Sequence, residues 1–220
     1  MKAADCGLGR MKIKICGLFR DDDISFANEA GPDYIGFVFA KSKRRISPEC
    51  AARLRARLRH DIVPVGVFVN APPEEIAALY RDGVIGIAQL HGDESREYIA
   101  ELKELTASVS SVPVPVIKAV QTESREDILG AVSSGADYLL LDHGTGGTGK
   151  CFDWTLLEDG DFLNGLPVPC FLAGGVNVHN IEEALRFKPL GIDVSSGAET
   201  GSVKDRDKMI QLVQKVRNWK

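Results

Sequence analysis

Residues 137–142 read DYLLLD and residues 143–150 read HGTGGTGK, and this stretch decides the class of fold. An apolar run this short fits a strand buried on both faces, as in a parallel sheet, better than a buried helix. The glycines that follow permit sharp turns and a close approach of the backbone to a ligand. Parallel α/β folds bind ligands at the carboxyl ends of their strands. Asp142 is therefore predicted to lie at a site, as a catalytic acid or base or as a cap of the glycine loop.

Strands and helices alternate along the chain on both sides of this stretch. Apolar runs predict strands at residues 12–16, 34–39, 63–69, 85–90, 114–120, 138–141, 168–173 and 191–194. Amphipathic stretches and capping residues predict helices at residues 21–30, 48–60, 74–81, 124–133 and 206–218, a helix capped by Asp93 that runs to Leu105, and shorter ones near 155–158 and 179–187.

About eight strand–helix units in one chain are typical of a closed (β/α)₈ barrel, for which ~200 residues is the lower end of the usual length. An open doubly wound sheet is the alternative, and it would usually contain fewer strands. We predict an α/β protein that forms a single-domain (β/α)₈ TIM barrel over residues 11–220. Residues 1–10 show no periodicity and are predicted to be an N-terminal extension outside this fold.

Composition excludes several classes of function. The formal charge of −4 argues against a nucleic-acid-binding protein, which usually has a basic balance. The five cysteines lack paired spacing, so neither a disulfide framework nor a zinc motif is predicted, and a reducing cytoplasmic location is favoured. No apolar run approaches the ~18 residues of a membrane span, and no export signal is visible, so no membrane partner is predicted.

Cys16 ends the first predicted strand, where a barrel would place a site residue. A free cysteine is often a small buried hydrophobe, so simple packing is the alternative to a catalytic role. As a base, Cys16 would need a cationic neighbour to lower its pKa from about 8.5. Lys14 lies two residues earlier, on the same face of the strand.

His91 and Arg44 are further candidates at strand ends. His91 is either a ligand contact or a polar residue bonded near the pocket. Arg44 is suited to grip a carboxylate through two hydrogen bonds, or it is a solvated member of the basic loop 41–45. The spacing of His, Cys and Asp does not match a zinc site, so no metal is predicted.

Glycine-rich turns follow the last two predicted strands, which is where barrels commonly bind phosphate through backbone N–H groups. The loop at 144–149 could complete the cradle or close over it. The substrate is therefore predicted to be a small phosphosugar or a relative of one. The predicted substrate-binding residues of these turns and this loop are Gly146, Gly147, Gly174, Gly175, Asn177, Ser195, Ser196 and Gly197.

A set of short motifs runs in order over about residues 11–216. The motifs are KICGL at 14–18, GFVF at 36–39, SKR at 42–44, VGVF at 65–68, QLHG at 89–92, LD at 141–142, GGTG at 146–149, FDW at 152–154, LAGGVN at 172–177 and DVSSG at 193–197. Together they resemble the phosphoribosylanthranilate isomerase family of tryptophan biosynthesis. The sequence departs from the family pattern at Phe19, where the family often has Thr, and at Val176, where Leu is usual.

The resemblance implies an Amadori rearrangement of N-(5-phosphoribosyl)anthranilate to 1-(2-carboxyphenylamino)-1-deoxyribulose 5-phosphate. By similarity, Cys16 would be the general base and Asp142 the general acid, with Arg44 and His91 lining the anthranilate end. No redox or group transfer is involved, so no cofactor is expected. The chain is predicted to act as a monomer or a homodimer.

Two other readings of the residues stay open. One is another cofactor-free barrel that isomerises a phosphosugar, and the other is a barrel that binds a phosphometabolite without turnover, as a regulator. A barrel that only binds would not need both Cys16 and Asp142 at the mouth of its pocket.

Overall fold

Eight parallel strands pair in chain order, and the last pairs with the first, so the sheet closes into a barrel. The structure, a computed structural model, describes residues 10–142, 154–157 and 162–219. The barrel strands are β1 Lys12–Cys16, β2 Tyr34–Val38, β3 Val63–Phe68, β4 Ile87–Leu90, β5 Val116–Gln121, β6 Tyr138–Asp142, β7 Cys170–Leu172 and β8 Gly191–Val194. The predicted α/β class and closed barrel are confirmed.

Helices connect the strands on the outside of the barrel. Those in the described residues are α1 Asp21–Ala30, α2 Pro48–Arg55, α3 Pro73–Arg81, α4 Arg96–Ser110, α5 Arg125–Ala131, α6 Ile181–Leu185 and α7 Arg206–Asn218. Short 3₁₀ turns at Trp154–Leu157 and Leu163–Gly165 precede β7. A small antiparallel hairpin that the sequence analysis missed, β9 Glu199–Thr200 with β10 Val203–Lys204, follows β8.

One predicted helix cap is confirmed and another is wrong. Ser47 caps α2 as predicted, since its side chain accepts a hydrogen bond from Cys50 N. The predicted cap Asp93 is wrong: Ser95 caps α4 by accepting from Tyr98 N. Glu94, which lies between the two positions, accepts hydrogen bonds from Asn70 N and Gly92 N, so this part of the chain stays outside the helix.

Several predicted elements are longer than the observed ones. The helix predicted at 48–60 ends at residue 55, where i→i+3 hydrogen bonds tighten the last turn. The strands predicted at 85–90 and 168–173 are trimmed to β4 and β7, because strand length is set by which residues find a register partner on a neighbouring strand. The helix predicted near 179–187 spans only α6, and the one near 155–158 is a 3₁₀ turn.

The core has two layers, one on each face of the barrel. Along β1, Ile13 and Ile15 point outward into the cluster that includes the helices, so Lys14 and Cys16 point into the barrel. Inside, an apolar layer lies at the level of the strand centres and consists of Val65, Ile87, Ile117, Leu140, Phe171 and Ala173. Polar side chains therefore enter the barrel at the level of the strands' carboxyl ends.

Phe171 is the largest apolar side chain of the inner layer. Tyr34 and Tyr138, which begin β2 and β6, meet its ring edge-on at centroid distances of 5.7 and 6.1 Å. Aromatic pairs of this geometry stabilise a core beyond the area they bury. The three rings close the floor of the barrel below the polar end.

The predicted extension at residues 1–10 stays a prediction, because residues 1–9 lie outside the described residues. Arg10, the first described residue, places its guanidinium 3.9 Å from Asp33. Within the described ranges, no helix has the length and apolar character needed to cross a membrane.

Phe171→Ala should destabilise the protein by about 3–5 kcal/mol, since it empties the centre of the inner layer. Urea unfolding followed by circular dichroism would measure this free energy. Phe26→Ala, on the half-buried face of α1, is the matched control and should cost clearly less. Equal losses in the two variants would contradict the role assigned to Phe171.

Candidate active site

The strand ends that carry polar side chains meet at one mouth of the barrel, because all eight strands run parallel. Cys16 ends β1, Asp142 ends β6, and His91 directly follows β4. In the strand order, β8 and β7 lie between Cys16 and Asp142. The predicted base, acid and imidazole therefore belong to the same end of the molecule.

Cys16 is buried in the inner wall of this mouth. Its register partner on β2 is Gly36, and a Cβ at that position would lie 2.6 Å from Cys16 Sγ. The missing side chain of Gly36 thus makes room for the thiol. Burial raises the pKa of the Cys16 thiol, whereas the ammonium groups of Lys14 and Lys204 act to lower it.

A buried ion pair lies beside Cys16. Lys14 Nζ donates to Asp193 Oδ1 at 2.9 Å, and the Lys14 side chain is 0% exposed. Burial alone would lower the pKa of Lys14, but the charges of Asp193 and Cys16 raise it above its ordinary value. The ammonium group is therefore charged at neutral pH. The sequence analysis identified Lys14 but missed Asp193, which is 179 positions away along the chain.

Arg44 is held at the mouth by a second set of charges. Its Nε and Nη2 atoms donate to Glu199 Oε1 and Oε2 at 2.6 and 2.8 Å. Glu199 Oε1 also accepts from Lys204 Nζ at 2.6 Å, and Lys204 Nζ donates to the carbonyl oxygen of Ser195 at 3.0 Å. Burial alone would raise the pKa of Glu199, but the two cations hold it below its ordinary range. Arg44 is thus a fixed group of the mouth and not a solvated loop residue.

Glu199 and Lys204 were missed because they belong to the β9–β10 hairpin, whose two-residue strands are too short to show a period. The signal that could have found them is the pattern of charges just after the Ser-Gly turn that ends β8. Buried charges need partners, so a charged residue next to a predicted pocket is a candidate for an ion pair.

His91 lies between a buried amide and the predicted acid. Its Nδ1 atom is 3.2 Å from Gln89 Nε2, and its Nε2 atom is 3.6 Å from Asp142 Oδ2. Burial lowers the pKa of His91, although the charge of Asp142 opposes this. A neutral ring that accepts a hydrogen bond from Gln89 at Nδ1 carries its proton on Nε2, toward Asp142. The 3.6 Å separation is too long for a direct hydrogen bond.

A third charged group connects the loops after β3 and β4 to strand β5. Glu94 accepts hydrogen bonds from Asn70 N at 2.8 Å, Gly92 N at 2.9 Å and Lys118 Nζ at 2.9 Å. Lys118 Nζ also donates to the carbonyl oxygen of Gly92. Burial alone would raise the pKa of Glu94, but these donors lower it below its ordinary value. The group fixes the turn that follows His91.

The turns after β7 and β8 pack directly on each other. Gly174 and Gly175 have φ values of +78° and +77°, a conformation that glycine adopts without strain. A Cβ at Gly197 would lie 2.0 Å from the carbonyl oxygen of Val176, so only glycine permits this approach of the two backbones. Asn177 Nδ2 donates to the carbonyl oxygen of Gly175 at 3.0 Å and therefore helps to shape the first turn.

Ser195, Ser196 and Gly197 form the turn between β8 and the hairpin. Ser195 Oγ donates to the carbonyl oxygen of Cys16 at 3.4 Å, which connects the turn after β8 to the end of β1. Ser196 and Gly197 begin a short 3₁₀ turn that leads into the hairpin. Gly146 and Gly147 lie outside the described residues. Among the residues that the structure does describe, no three His, Cys, Asp or Glu side chains form a group suited to hold a metal ion.

The fold and the site define a class of protein. A closed (β/α)₈ barrel with a thiol, a carboxylate, an imidazole and glycine turns at the carboxyl ends of its strands has the architecture of the barrel enzymes, which act on small molecules at that end.

Comparison with known proteins identifies the particular family. The family model for N-(5'phosphoribosyl)anthranilate (PRA) isomerase matches residues 13–215. The N-(5'-phosphoribosyl)anthranilate isomerase of Endomicrobium trichonymphae is 45% identical over 212 residues, covering 94% of this chain and 98% of that protein. The chain belongs to the N-(5'-phosphoribosyl)anthranilate isomerase family.

Solved structures agree with this assignment. The crystal structure of phosphoribosyl anthranilate isomerase from Thermotoga maritima is 35% identical, with a TM-score of 0.81, and the match covers 95% of this chain and 100% of that one. A crystal structure of the isomerase in complex with reduced 1-(o-carboxyphenylamino)-1-deoxyribulose 5-phosphate is 33% identical, with a TM-score of 0.78 and the same coverage.

Glu94→Gln should make the stability of the protein less dependent on pH. Because the pKa of Glu94 is lower in the folded protein than in the unfolded chain, Glu94 adds stability at neutral pH. That contribution is lost as the pH falls from about 4.3, the ordinary value for Glu, through the lower folded value. We expect the variant to be about 1–3 kcal/mol less stable at pH 7, and the difference to shrink at pH 3.5.

Urea unfolding at the two pH values would measure this difference. Glu101→Gln, on the exposed face of α4, is the matched control and should leave the stability nearly unchanged at both. A Glu94→Gln difference that stays constant from pH 7 to pH 3.5 would show that the charge of Glu94 is not what connects the loops.

Proposed function

We propose that this protein catalyses the Amadori rearrangement of N-(5'-phosphoribosyl)anthranilate to 1-(2-carboxyphenylamino)-1-deoxyribulose 5-phosphate, with Cys16 as general base and Asp142 as general acid. Membership in the isomerase family of tryptophan biosynthesis supports the reaction. One observation carries the residue roles: a thiol and a carboxylate end two strands of the same barrel mouth, with only β8 and β7 between them.

The first step opens the ribose ring. The protonated carboxyl group of Asp142 gives its proton to the ring oxygen, and the bond between that oxygen and C1 breaks. The electron pair on the anthranilate nitrogen forms a C1=N double bond, which leaves an iminium ion. A positioned acid is needed because an alkoxide is a poor leaving group.

The second step removes a proton from C2. The Cys16 thiolate takes this proton, and the electrons of the C–H bond form a C1=C2 double bond while the iminium nitrogen becomes neutral. The resulting enol moves its hydroxyl proton to C1 and becomes the ketone, and the proton left on Cys16 returns to Asp142 by exchange with water, which restores the acid and the base. Substrate and product have the same atoms and the same number of electrons, so the chemistry needs only one acid and one base.

Arg44 and His91 are proposed to line the anthranilate end of the substrate. Anthranilate carries a carboxylate, which the planar fork of an arginine binds well. Glu199 takes two of the five N–H donors of Arg44 and sets the plane of the guanidinium group. The ring of His91 is neutral because burial lowers its pKa, so it offers a hydrogen bond without adding a charge.

The phosphate is proposed to bind at the turns after β7 and β8. The contact of Gly197 with Val176 brings the two turns together. Gly174 and Gly175, both at positive φ, leave the first turn without side chains. Backbone N–H groups of such turns are suited to an anion. Gly146 and Gly147, which follow Asp142 in the sequence, are proposed to complete this end of the pocket.

Replacement of either proposed catalytic group should abolish most of the activity. Asp142→Asn keeps the size of the side chain but cannot transfer a proton, and Cys16→Ser replaces the thiol by a hydroxyl that does not ionise near neutral pH. We expect kcat to fall by ~10²–10⁴-fold in each variant, with little change in KM. The decay of phosphoribosylanthranilate fluorescence measures both constants, and the wild-type rate should rise as Cys16 ionises and fall as Asp142 loses its proton.

Two matched variants separate this effect from general damage. Cys170→Ser changes a buried cysteine of β7 that points away from the barrel interior, and Asp137→Asn changes the aspartate at the other end of β6. Both should keep kcat near the wild-type value. If Asp142→Asn kept its kcat and lost only affinity, Asp142 would be a binding or loop-capping residue. If both site variants kept the wild-type kcat, the proposed roles of Cys16 and Asp142 would be wrong. Turnover in any variant would exclude a protein that only binds the metabolite.

Gly175→Asp should raise KM sharply, because it puts a side chain and a negative charge where the phosphate is proposed to bind. Gly175→Ala is the matched control: it imposes the same backbone strain at φ +77° without the charge. We expect the KM of the Asp variant to be at least ~10-fold above that of the Ala variant, as one lost charged contact requires. Equal KM values in two folded variants would remove the phosphate from this turn.

A further inference from the structure

The ion pair between Lys14 and Asp193 has no part in the two chemical steps, yet it lies next to the thiol that does. Lys14 on β1 and Asp193 on β8 are register partners, and both are buried at the polar end of the barrel interior. We propose that Lys14 and Asp193 are positioning residues that act in opposite directions on Cys16: Lys14 promotes its ionisation and Asp193 restrains it. This inference rests on the proposed function only in taking Cys16 as the base.

Lys14 is placed to favour the thiolate. Residues two apart on a strand share a face, so Lys14 and Cys16 both point into the barrel. Lys14 Nζ is held 2.9 Å from Asp193 Oδ1 on the neighbouring strand β8, so its ammonium group stays on the inner face that also carries Cys16. A nearby opposite charge favours the ionised form of a group, more strongly in a buried site than in water, and the Lys14 ammonium acts in this direction on the Cys16 thiol.

Asp193 has two opposing effects. Its carboxylate holds the fully buried ammonium of Lys14 in its charged form, which burial alone would not do. The same negative charge disfavours a second negative charge on Cys16. In Asp193→Asn this repulsion is lost, and the Cys16 thiolate, which also raises the pKa of Lys14, becomes the counter-charge that keeps the ammonium group charged.

The other charged groups around Cys16 support a site that can hold a thiolate. Lys204 of β10 also favours the ionised thiol, as does Arg44, and Glu199 is paired with both. The cations Lys14, Lys204 and Arg44 outnumber the carboxylates Asp193 and Glu199 by three to two. His91 is neutral because burial lowers its pKa. The group thus has one positive charge in excess, which a thiolate neutralises.

A purely structural ion pair would behave differently. Loss of either partner would then destabilise the barrel and affect the thiol, if at all, in the same direction. Opposite effects of the two substitutions on one neighbouring thiol are expected only if both charges act on that thiol.

The experiment measures the acidity of Cys16 without any turnover. The full-length chain and its Lys14→Met and Asp193→Asn variants are treated with iodoacetamide between pH 6 and 10, and mass spectrometry of the Cys16 peptide gives the alkylation rate. The pH dependence of this rate reports the thiol pKa, since only the thiolate reacts. We expect Lys14→Met to raise that pKa by about 1–3 and Asp193→Asn to lower it by about 1.

Steady-state kinetics supply a second readout. At pH 7, kcat/KM of Lys14→Met should fall about tenfold for each unit by which the thiol pKa rises, and it should recover as the pH is raised. Asp193→Asn should shift the acidic limb of the pH profile to lower pH. Lys12→Met is the matched control: it removes a lysine from the amino end of the same strand and should change neither readout.

Shifts in the same direction, or no shift in either variant, would overturn the proposal. If Lys14→Met does not fold, Lys14→Arg, which keeps the charge, and Asp193→Asn still decide the matter: the first should stay near wild type and the second should lower the thiol pKa. If the alkylation shifts appear while Cys16→Ser remains active, the proposed base is wrong but the opposed pair stands. The two failures are therefore distinguishable.

Discussion

The whole molecule depends on the pairing of β8 with β1. A parallel sheet of eight strands has two unpaired edges until its last strand meets its first, and closure removes both. The register of this contact is also decisive: a slip by one residue would turn Lys14 and Cys16 outward and bring Ile13 and Ile15 into the barrel. The aliphatic residues of β1 fit the helix layer, so burial of their apolar surface holds the register that places the thiol inside.

Inside the barrel, an apolar floor and a polar layer meet at the level of the site. Phe171 and its neighbours fill the floor, whereas Lys14, Asp193 and Gln89 are buried above it. Burying charges costs free energy that an ion pair recovers only in part, so such a layer is a poor source of stability. Its presence at the carboxyl ends of the strands is understandable if the reaction needs fixed charges in a place from which water is excluded.

The mouth is held in shape by contacts between loops that are distant in the sequence. Glu199 joins the loop after β2 to the hairpin after β8, Glu94 joins the loops after β3 and β4 to strand β5, and the approach of Gly197 to Val176 joins the turns after β7 and β8. The first two connections are charged hydrogen bonds, and the third is a close packing of two backbones at a glycine. Both kinds of contact restrict the motion of a loop more than a solvated contact does. The groups proposed to act on the substrate are therefore positioned before it binds.

The sequence by itself determined the alternation of strands and helices and the candidate site residues at several strand ends, such as Cys16, His91 and Asp142, because both are local patterns that show on a single stretch of chain. It could not determine where each strand stops, as β4 and β7 illustrate, because strand ends depend on which residues find partners across the closed sheet. Nor could it identify Asp193 as the partner of Lys14, or Glu199 and Lys204 as the groups that hold Arg44. Those pairs join positions far apart in the chain, and only the closure of the barrel brings their charges within bonding distance.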